Sequence, residues 1–408
     1  VDEQILATGF VPPADYGMEA PAPVNGRAPT TGNASTSWQR GPAWKCSDKQ
    51  RDLILKIVDE NRLDKSSIEA LANERFGKGV KSLNKMEASG LIDELLDPRL
   101  AEATASRQRS APDQWIGLRQ RKEVPMIAPA SDGRFETGLS AYAGTFPVHI
   151  SPTAAKSYLA CSLRFYFERV ACLKKPTPKN LHLGKAVHAA LQAFHLARWR
   201  GGDDSPETIA TAYEAAFLRL EREEGPVNFD DAAEREKSRT DGLRIVAAYL
   251  DSPEVLKGKP RAVEVKLTEE IPGLSVPLTG AMDLVGENLI PIDFKSAAAK
   301  PDIGHAAFEH EIQLVSYQLL MEAATGESPP SLDLVFLVKT KTPRVIRIKS
   351  PPADAHRKKR VTALLETAVT GIAEDRFHPQ PGMHCSWCQF RRECAAWLPR
   401  EREERRAA

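Results

Sequence analysis

With 408 residues, 42% hydrophobic and 27% charged, the chain can bury one large core or two smaller ones, so a main globular domain with appendages is expected. Its 56 basic against 55 acidic residues give a net charge of +1, which excludes a global field for a polyanion and leaves any nucleic-acid binding to local patches. No apolar run reaches the roughly 18 residues of a membrane helix, and no basic stretch leads into an apolar run with a small-residue cleavage site, so a cytoplasmic protein is expected.

Residues 1–45 are rich in Pro, Gly, Ala, Ser and Thr with little apolar periodicity and read as a disordered tail or linker. Over 46–98 the pattern turns helical: Leu53, Ile54, Ile57 and Val58, then Ile68, Leu71 and Phe76, then Met86, Leu91, Ile92 and Leu95 mark three short amphipathic helices. Ser66 with Glu69, and Asn84 with Glu87, have the spacing of capping boxes at the second and third helix starts. This small module suits DNA binding and partner docking equally. Residues 99–147 revert to polar linker.

The large domain is expected over 148–398. Ser151-Pro152 opens a helix, a second runs over about 183–198, and a charged helical stretch covers 206–250. Strand-like segments follow at 261–271, 276–286 and 289–295, bounded by turn residues such as Pro272-Gly273 and Gly286-Glu287-Asn288. A helix over about 307–325, strands near 332–339 and 343–349, and a helix over about 353–375 complete an α/β (α+β) order. Residues 399–408 form a charged tail.

Chemistry concentrates on the second and third strands, in Gly280-Ala281-Met282-Asp283 and Ile292-Asp293-Phe294-Lys295. On a strand, residues two apart share a face, so Asp293 and Lys295 point together while Ile292 and Phe294 point into the core. A three-residue turn, Gly286-Glu287-Asn288, would pair Val285 with Leu289 and leave Asp293 the diagonal same-face neighbour of Asp283, roughly 7–8 Å away. A two-residue turn would put the carboxylates on opposite faces. Paired carboxylates suit Mg²⁺ or Mn²⁺, His188 would add preference for Mn²⁺, and Lys295 would orient a water beside a phosphodiester. Glu264 on the first strand is a further carboxylate for the same cleft. A lone Asp-x-Lys on a strand edge is commonly a surface pair; the order of His188, Asp283, Gln313 and Tyr317 around it favours a site.

Gly184-Lys185-Ala186-Val187-His188, then Gly280 to Asp283, then Asp293-Phe294-Lys295, then Gln313-Leu314-Val315-Ser316-Tyr317 together resemble the successive motifs of the RecB-like branch of the PD-(D/E)XK nucleases. The resemblance implies a restriction-endonuclease-like mixed central sheet flanked by helices. It further implies that His188, Asp283, Asp293 and the Phe294 carbonyl hold the metal, that Lys295 is the catalytic lysine, and that Gln313 and Tyr317 line the active site.

Six cysteines are too few and too clustered for a secreted disulfide framework. Cys385, Cys388 and Cys394 form a C-x2-C-x5-C group, with Cys161 far upstream. This is similar to the iron–sulfur staple of AddB-type and CRISPR-associated RecB-like exonucleases, which implies a [4Fe–4S] cluster on Cys161, Cys385, Cys388 and Cys394. Zinc, completed by His384 or His378, is the rival. Cys172 reads as a buried small apolar residue and Cys46 as an incidental thiol.

The function expected is a metal-dependent DNA nuclease. Exonuclease action on single-stranded DNA or DNA ends, in recombination, repair or phage DNA metabolism, is favoured over site-specific cutting. The location would be a bacterial or phage-infected host cytoplasm. Arg357-Lys358-Lys359-Arg360, Lys339 and Lys341 are candidate phosphate contacts. With no G-x-x-x-x-G-K-[ST] loop, unwinding would fall to a recombination or helicase partner. The competing class is a catalytically idle or zinc-stapled scaffold that binds DNA or a partner.

Overall fold

The structure is a computed structural model, and it describes residues 43–96, 147–255 and 258–398. The tail expected over 1–45, the linker over 99–147 and the charged tail over 399–408 therefore fall almost wholly outside the described residues.

Three helices open the described chain: α1 (Asp48–Glu60), α2 (Lys65–Phe76) and α3 (Lys85–Leu96). Asn84 and Glu87 form the expected reciprocal pair at the start of α3, at 2.9 and 3.0 Å. At α2, however, the cap is Asp64, which accepts from the Ser67 N–H, and not Ser66. Asp64 sits directly before the first helical residue, where a short carboxylate satisfies an otherwise orphaned N–H. At α1 Ser47 and Gln50 close a capping box that the sequence reading did not register. Met86 of α3 lies in the main core, Phe76 of α2 packs edge-on to Trp199, and Lys85 pairs with the buried Glu269, so these helices lie against the sheet domain.

Four helices of nine or more residues, with a short helical turn over Ser162–Phe165 after the first, lead from Ile150 to the sheet. Ser151 caps α4 (Pro152–Ala160), with Pro152 in the first turn, where its missing N–H costs nothing. Then come α5 (Lys179–Arg200), α6 (Pro206–Glu224) and α7 (Ala232–Leu250); the charged stretch expected over 206–250 is two helices. The sheet has five strands in the order β1 (Ala262–Glu269), β2 (Leu278–Val285), β3 (Pro291–Ala297), β4 (Leu332–Val338) and β5 (Arg344–Ser350). All neighbours are antiparallel except β3 and β4, which are parallel. That parallel pairing needs a crossover, supplied by α8 (Ile303–Glu309) and α9 (Glu311–Thr325); α10 (Ala355–Ala373) follows β5. The helix expected over 307–325 is thus broken at His310. The result is the α/β (α+β) class that the element order implied, with the mixed central sheet flanked by helices that the resemblance implied.

Strand β4 is buried along its whole length, as a central strand covered on both faces must be. Its one charged residue, Asp333, is held by the Arg347 guanidinium at 2.7 Å. The two sheet faces are distinguished by consecutive residues of β3. Phe294 packs among His195 and Tyr249 of α5 and α7, whereas Asp293 meets Gln313 and Tyr317 of α9. Behind α9, helix α10 packs against α4 where Gly371 lets the Tyr158 ring approach. A Cβ at Gly371 would lie 2.0 Å from the Tyr158 oxygen. That oxygen is tethered by donating to the Arg376 carbonyl at 2.8 Å. Gly371→Ala is therefore expected to lower stability by about 1–3 kcal/mol, measured by chemical denaturation. Among the described residues no helix is long and apolar enough to cross a membrane.

Candidate active site

The loop between β2 and β3 differs from the expected three-residue turn. Val285 pairs with Pro291 and Leu284 with Ile292, so five residues, 286–290, make the connection. The Gly286 N–H donates to the Ile290 carbonyl, and Leu289 takes a left-handed conformation at φ 58°. Lengthening the loop by two residues keeps side-chain parity, so Asp283 and Asp293 remain on one face. They would now face each other directly, but the ladder stops at Leu284 and the strands part. Into this opening Asp283 turns its carboxylate, where Oδ2 accepts the Phe294 N–H at 2.7 Å. The other oxygen lies 3.3 Å from His188 Nδ1, which reaches in from α5.

Asp293 is 3% exposed. Its Oδ1 accepts from Gln313 Nε2 at 2.7 Å and faces the Tyr317 hydroxyl at 3.1 Å. Its Oδ2 lies 2.6 Å from the Lys295 ammonium, yet it takes no hydrogen bond of proper geometry. Lys295 also donates to Gln313 Oε1 at 2.9 Å. Tyr317 donates to the Ala281 carbonyl at 2.7 Å and accepts from Gln313 Nε2 at 2.7 Å. Residues 313 and 317 stand one helical turn apart, so α9 presents both to the same point. The close approach of α9 to β2 uses Gly280, where a Cβ would come within 2.8 Å of the Leu320 side chain.

Burial pushes the Asp293 carboxyl above the usual carboxylate range, with Lys295 opposing. Burial also works to raise Asp283, but His188 and the Phe294 N–H outweigh it and hold Asp283 low. His188 is raised in turn: burial disfavours its charge, and the Asp283 carboxylate overcomes that. Glu264 lies opposite Asp283 in a gap of the β1–β2 ladder, between the pairs Val263–Leu284 and Val265–Met282. Its carboxyl is raised first by burial and then by the charge of Asp283. Glu264 also holds a left-handed φ of 53°, a strain of about 1–3 kcal/mol for a non-glycine residue. The structure thus brings Glu264, Asp283, Asp293, Lys295, His188, Gln313 and Tyr317 into one opening.

Two charged or titratable residues border this opening without having been anticipated. Lys156 of α4 donates to the Glu309 carbonyl at 3.2 Å and lies in the field of Lys295 and Asp293. His310 packs on Phe336, and burial followed by the charges of Lys295 and Lys156 pushes it down to about 3. No motif spacing signals Lys156, because α4 comes to the site only through the tertiary fold, and His310 stands at the break between α8 and α9 that the sequence reading ran through as one helix. Conversely, the basic run at 357–360 is largely committed elsewhere. Arg357 and Arg360 pair with the buried Glu311, and Lys358 pairs with Glu322.

The four cysteines also converge. Cys161, at the end of α4, is buried beside Leu163, Phe167 and Phe390, with Cys388 and Cys394 packed against the same cluster. The Cys394 thiol is raised by burial first and then by the proximity of Cys161, Cys388 and Cys385. None of the described cysteines is in a disulfide. Cys172 is exposed, not buried, and takes a φ of 50° after the turn that follows Val170. His378 is engaged with Ser162 through its backbone N–H and carbonyl, while His384 Nε2 is buried without a partner. As the side chains stand, no group of three or more His, Cys, Asp or Glu among the described residues is arranged to hold a metal ion. At the carboxylate site the donors pair with one another and with Lys295.

A solved structure of a protein described as a candidate exonuclease from Eubacterium rectale aligns at a TM-score of 0.42 and 13% identity, covering 68% of this chain and 96% of that one. The protein SSO0001 aligns at a TM-score of 0.27 and 18% identity, covering 60% of this chain and 96% of its own. No curated protein matches. The family model of the PD-(D/E)XK nuclease superfamily matches residues 149–395, which include every candidate site residue above. With more than half of its length matched, the chain belongs to the PD-(D/E)XK nuclease superfamily.

Proposed function

We propose that the chain is a metal-dependent deoxyribonuclease of the RecB-like branch, acting as an exonuclease on single-stranded DNA or DNA ends in recombination, repair or phage DNA metabolism, in a cytoplasm. The observation that carries this reading is the arrangement of Asp283, Asp293 and Lys295 in the opening between β2 and β3, with His188 on one side and Gln313 on the other.

The donor set fits a hard divalent ion. Asp283 Oδ1 and His188 Nδ1 stand 3.3 Å apart and Asp293 Oδ2 is buried without a well-formed hydrogen bond, oxygen and imidazole donors whose chemistry would suit such an ion, although as they stand these side chains pair with one another and with Lys295. His188, Asp283, Asp293 and the Phe294 carbonyl would hold it, with Mn²⁺ favoured over Mg²⁺ by the imidazole. When bound, the ion polarises the phosphoryl oxygen and makes a bound water more acidic.

The chain's own groups do the rest. Of the three N–H bonds of Lys295, Gln313 takes one and Asp293 faces another, which leaves the third for a water or a phosphoryl oxygen. Attack of that water on phosphorus breaks the P–O bond to the leaving strand. Lys295 stabilises the charge that builds on the phosphoryl oxygens. Gln313, fixed by Tyr317 and Asp293, keeps the lysine in line. Glu264 is a further carboxylate for the site, and its strained backbone fits a functional role. The convergence of Cys161, Cys385, Cys388 and Cys394 supports a [4Fe–4S] staple, with zinc as the alternative that the unpartnered His384 Nε2 would serve.

End-labelled single- and double-stranded DNA should be degraded with Mg²⁺ or Mn²⁺, and not in excess chelator. A ladder of end products marks exonuclease action. Undiminished cleavage in chelator, or none with either metal, would refute the reading.

A further inference from the structure

Phe294 stands between Asp293 and Lys295 on β3, and it meets the site with its backbone, donating its N–H to Asp283 Oδ2 at 2.7 Å. On a strand the N–H and the carbonyl of one residue leave on the same edge, so the Phe294 carbonyl also faces the opening. There the β2–β3 ladder has ended at Leu284, and the side chain is left to steady this backbone. That side chain is 2% exposed and sits among three rings. His195 stacks on it at 6.0 Å and 15°, while Tyr249 meets it edge-on at 5.4 Å and 87°. His188, the imidazole that reaches Asp283, meets it edge-on at 6.1 Å and 88°. His188 and His195 stand two helical turns apart, so α5 carries one to the rim of the site and the other behind Phe294. His195 and Tyr249 are each 1% exposed, and His195 Nε2 lies 2.7 Å from the Tyr249 hydroxyl. His195 Nδ1 has no hydrogen-bond partner among the described residues, so this one bond sets the plane of the imidazole. Burying such a pair is a poor route to stability, since an unpaired buried nitrogen costs about as much as the bond contributes. A directional bond under a stacked ring does fix orientation.

We infer that His195 and Tyr249 are positioning residues for the divalent-ion site: bonded to each other, they clamp the Phe294 ring and so hold the Phe294 carbonyl, the Asp283 carboxylate and the His188 ring in place. They act through Phe294 and not on the substrate. The inference rests on the ligand set proposed above.

The test reads metal affinity, not cleavage. Mn²⁺ would be titrated into the full chain and the free ion followed by its EPR signal, counting only the binding that Asp283→Asn removes. Tyr249→Phe keeps the ring and deletes the hydroxyl, and should weaken this binding by about tenfold, the effect of losing an outer partner of a metal ligand. His195→Leu should weaken it to a similar degree. Each single variant leaves a polar group buried and unpaired and should lose stability, whereas the double variant removes both ends of the bond and should regain it. Its Mn²⁺ affinity should nonetheless stay as low as in the single variants, because the two side chains act as one unit. A role in packing alone gives wild-type affinity in every folded variant, and that result overturns the clamp. Affinity that returns together with stability in the double variant overturns it as well. If the double variant does not fold, Tyr249→Phe decides by itself, since it removes one atom from the core. Mn²⁺ binding that is lost in Asp283→Asn and unchanged in Tyr249→Phe removes the clamp and leaves the ligand set standing. A wild type without any Mn²⁺ binding that depends on Asp283 overturns both.

Discussion

Lys295→Ala is expected to lower the single-turnover cleavage rate by about 10²–10³-fold, the cost of removing one positioned donor from a developing oxyanion. The geometry makes this a loss of rate more than of binding. Lys295 is 25% exposed at the side chain and, among the described residues, pairs with Asp293 and Gln313, both within the site. Its removal leaves the β2–β3 opening, the Asp283 bond to the Phe294 N–H and the Tyr317 anchor on Ala281 untouched. DNA affinity in chelator should therefore stay within about threefold of wild type while the rate collapses. Lys295→Arg should not restore it, because a planar guanidinium cannot replace a compact ammonium between one carboxylate and one amide oxygen. A Lys295→Ala protein that cleaves end-labelled DNA at a rate close to wild type would remove the lysine from the chemistry.

Much of this site was legible because its chemistry is local. Asp293 and Lys295 share a face by strand alternation, and Gln313 and Tyr317 share one by helical spacing, so each pair follows from the sequence without tertiary knowledge. The loop between β2 and β3 was not legible in length. Turn residues Gly286 and Asn288 suggested a tight reversal, but Leu289 supplies the left-handed residue that closes it. The ladder ends early because Asp283 accepts the Phe294 N–H with its side chain, a competition between side chain and backbone that no periodicity records. Charges were equally opaque. Arg357, Lys358 and Arg360 look like phosphate contacts in one dimension, yet α9 supplies Glu311 and Glu322 to occupy them. Lys156, which does border the site, stands alone in a helix that the sequence separates widely from Lys295. The parity argument survived its wrong loop length because three and five residues are both odd, which keeps the carboxylates together.

On the proposed [4Fe–4S] staple, Cys161→Ser is expected to abolish iron binding and to lower the thermal midpoint by about 10 °C. The ring it would open is already tied by protein contacts: the Leu163 N–H donates to the His378 carbonyl, the Ser162 N–H to Gln380, and Gln380 in turn to the Leu159 carbonyl. Lys175 pairs with Glu393 and lies over the Phe390 ring. These contacts bring the end of α4 to the C-terminal loop without metal, so the variant should fold. What it loses is the crosslink. Loss of a native covalent tie across a long loop costs about 2–5 kcal/mol, and in a domain of this size each kcal/mol moves the midpoint by about 2–4 °C. Cys172→Ser, at an exposed thiol outside the cluster, should change neither quantity. Metal analysis with the visible spectrum of anaerobically purified protein separates the two forms of the staple. Iron with broad visible absorbance supports the cluster, whereas zinc in a colourless protein, lost on Cys161→Ser, would replace the cluster with a zinc site. Unchanged metal content and an unchanged midpoint would remove Cys161 from any staple and leave its burial beside Phe167 and Phe390 as packing alone.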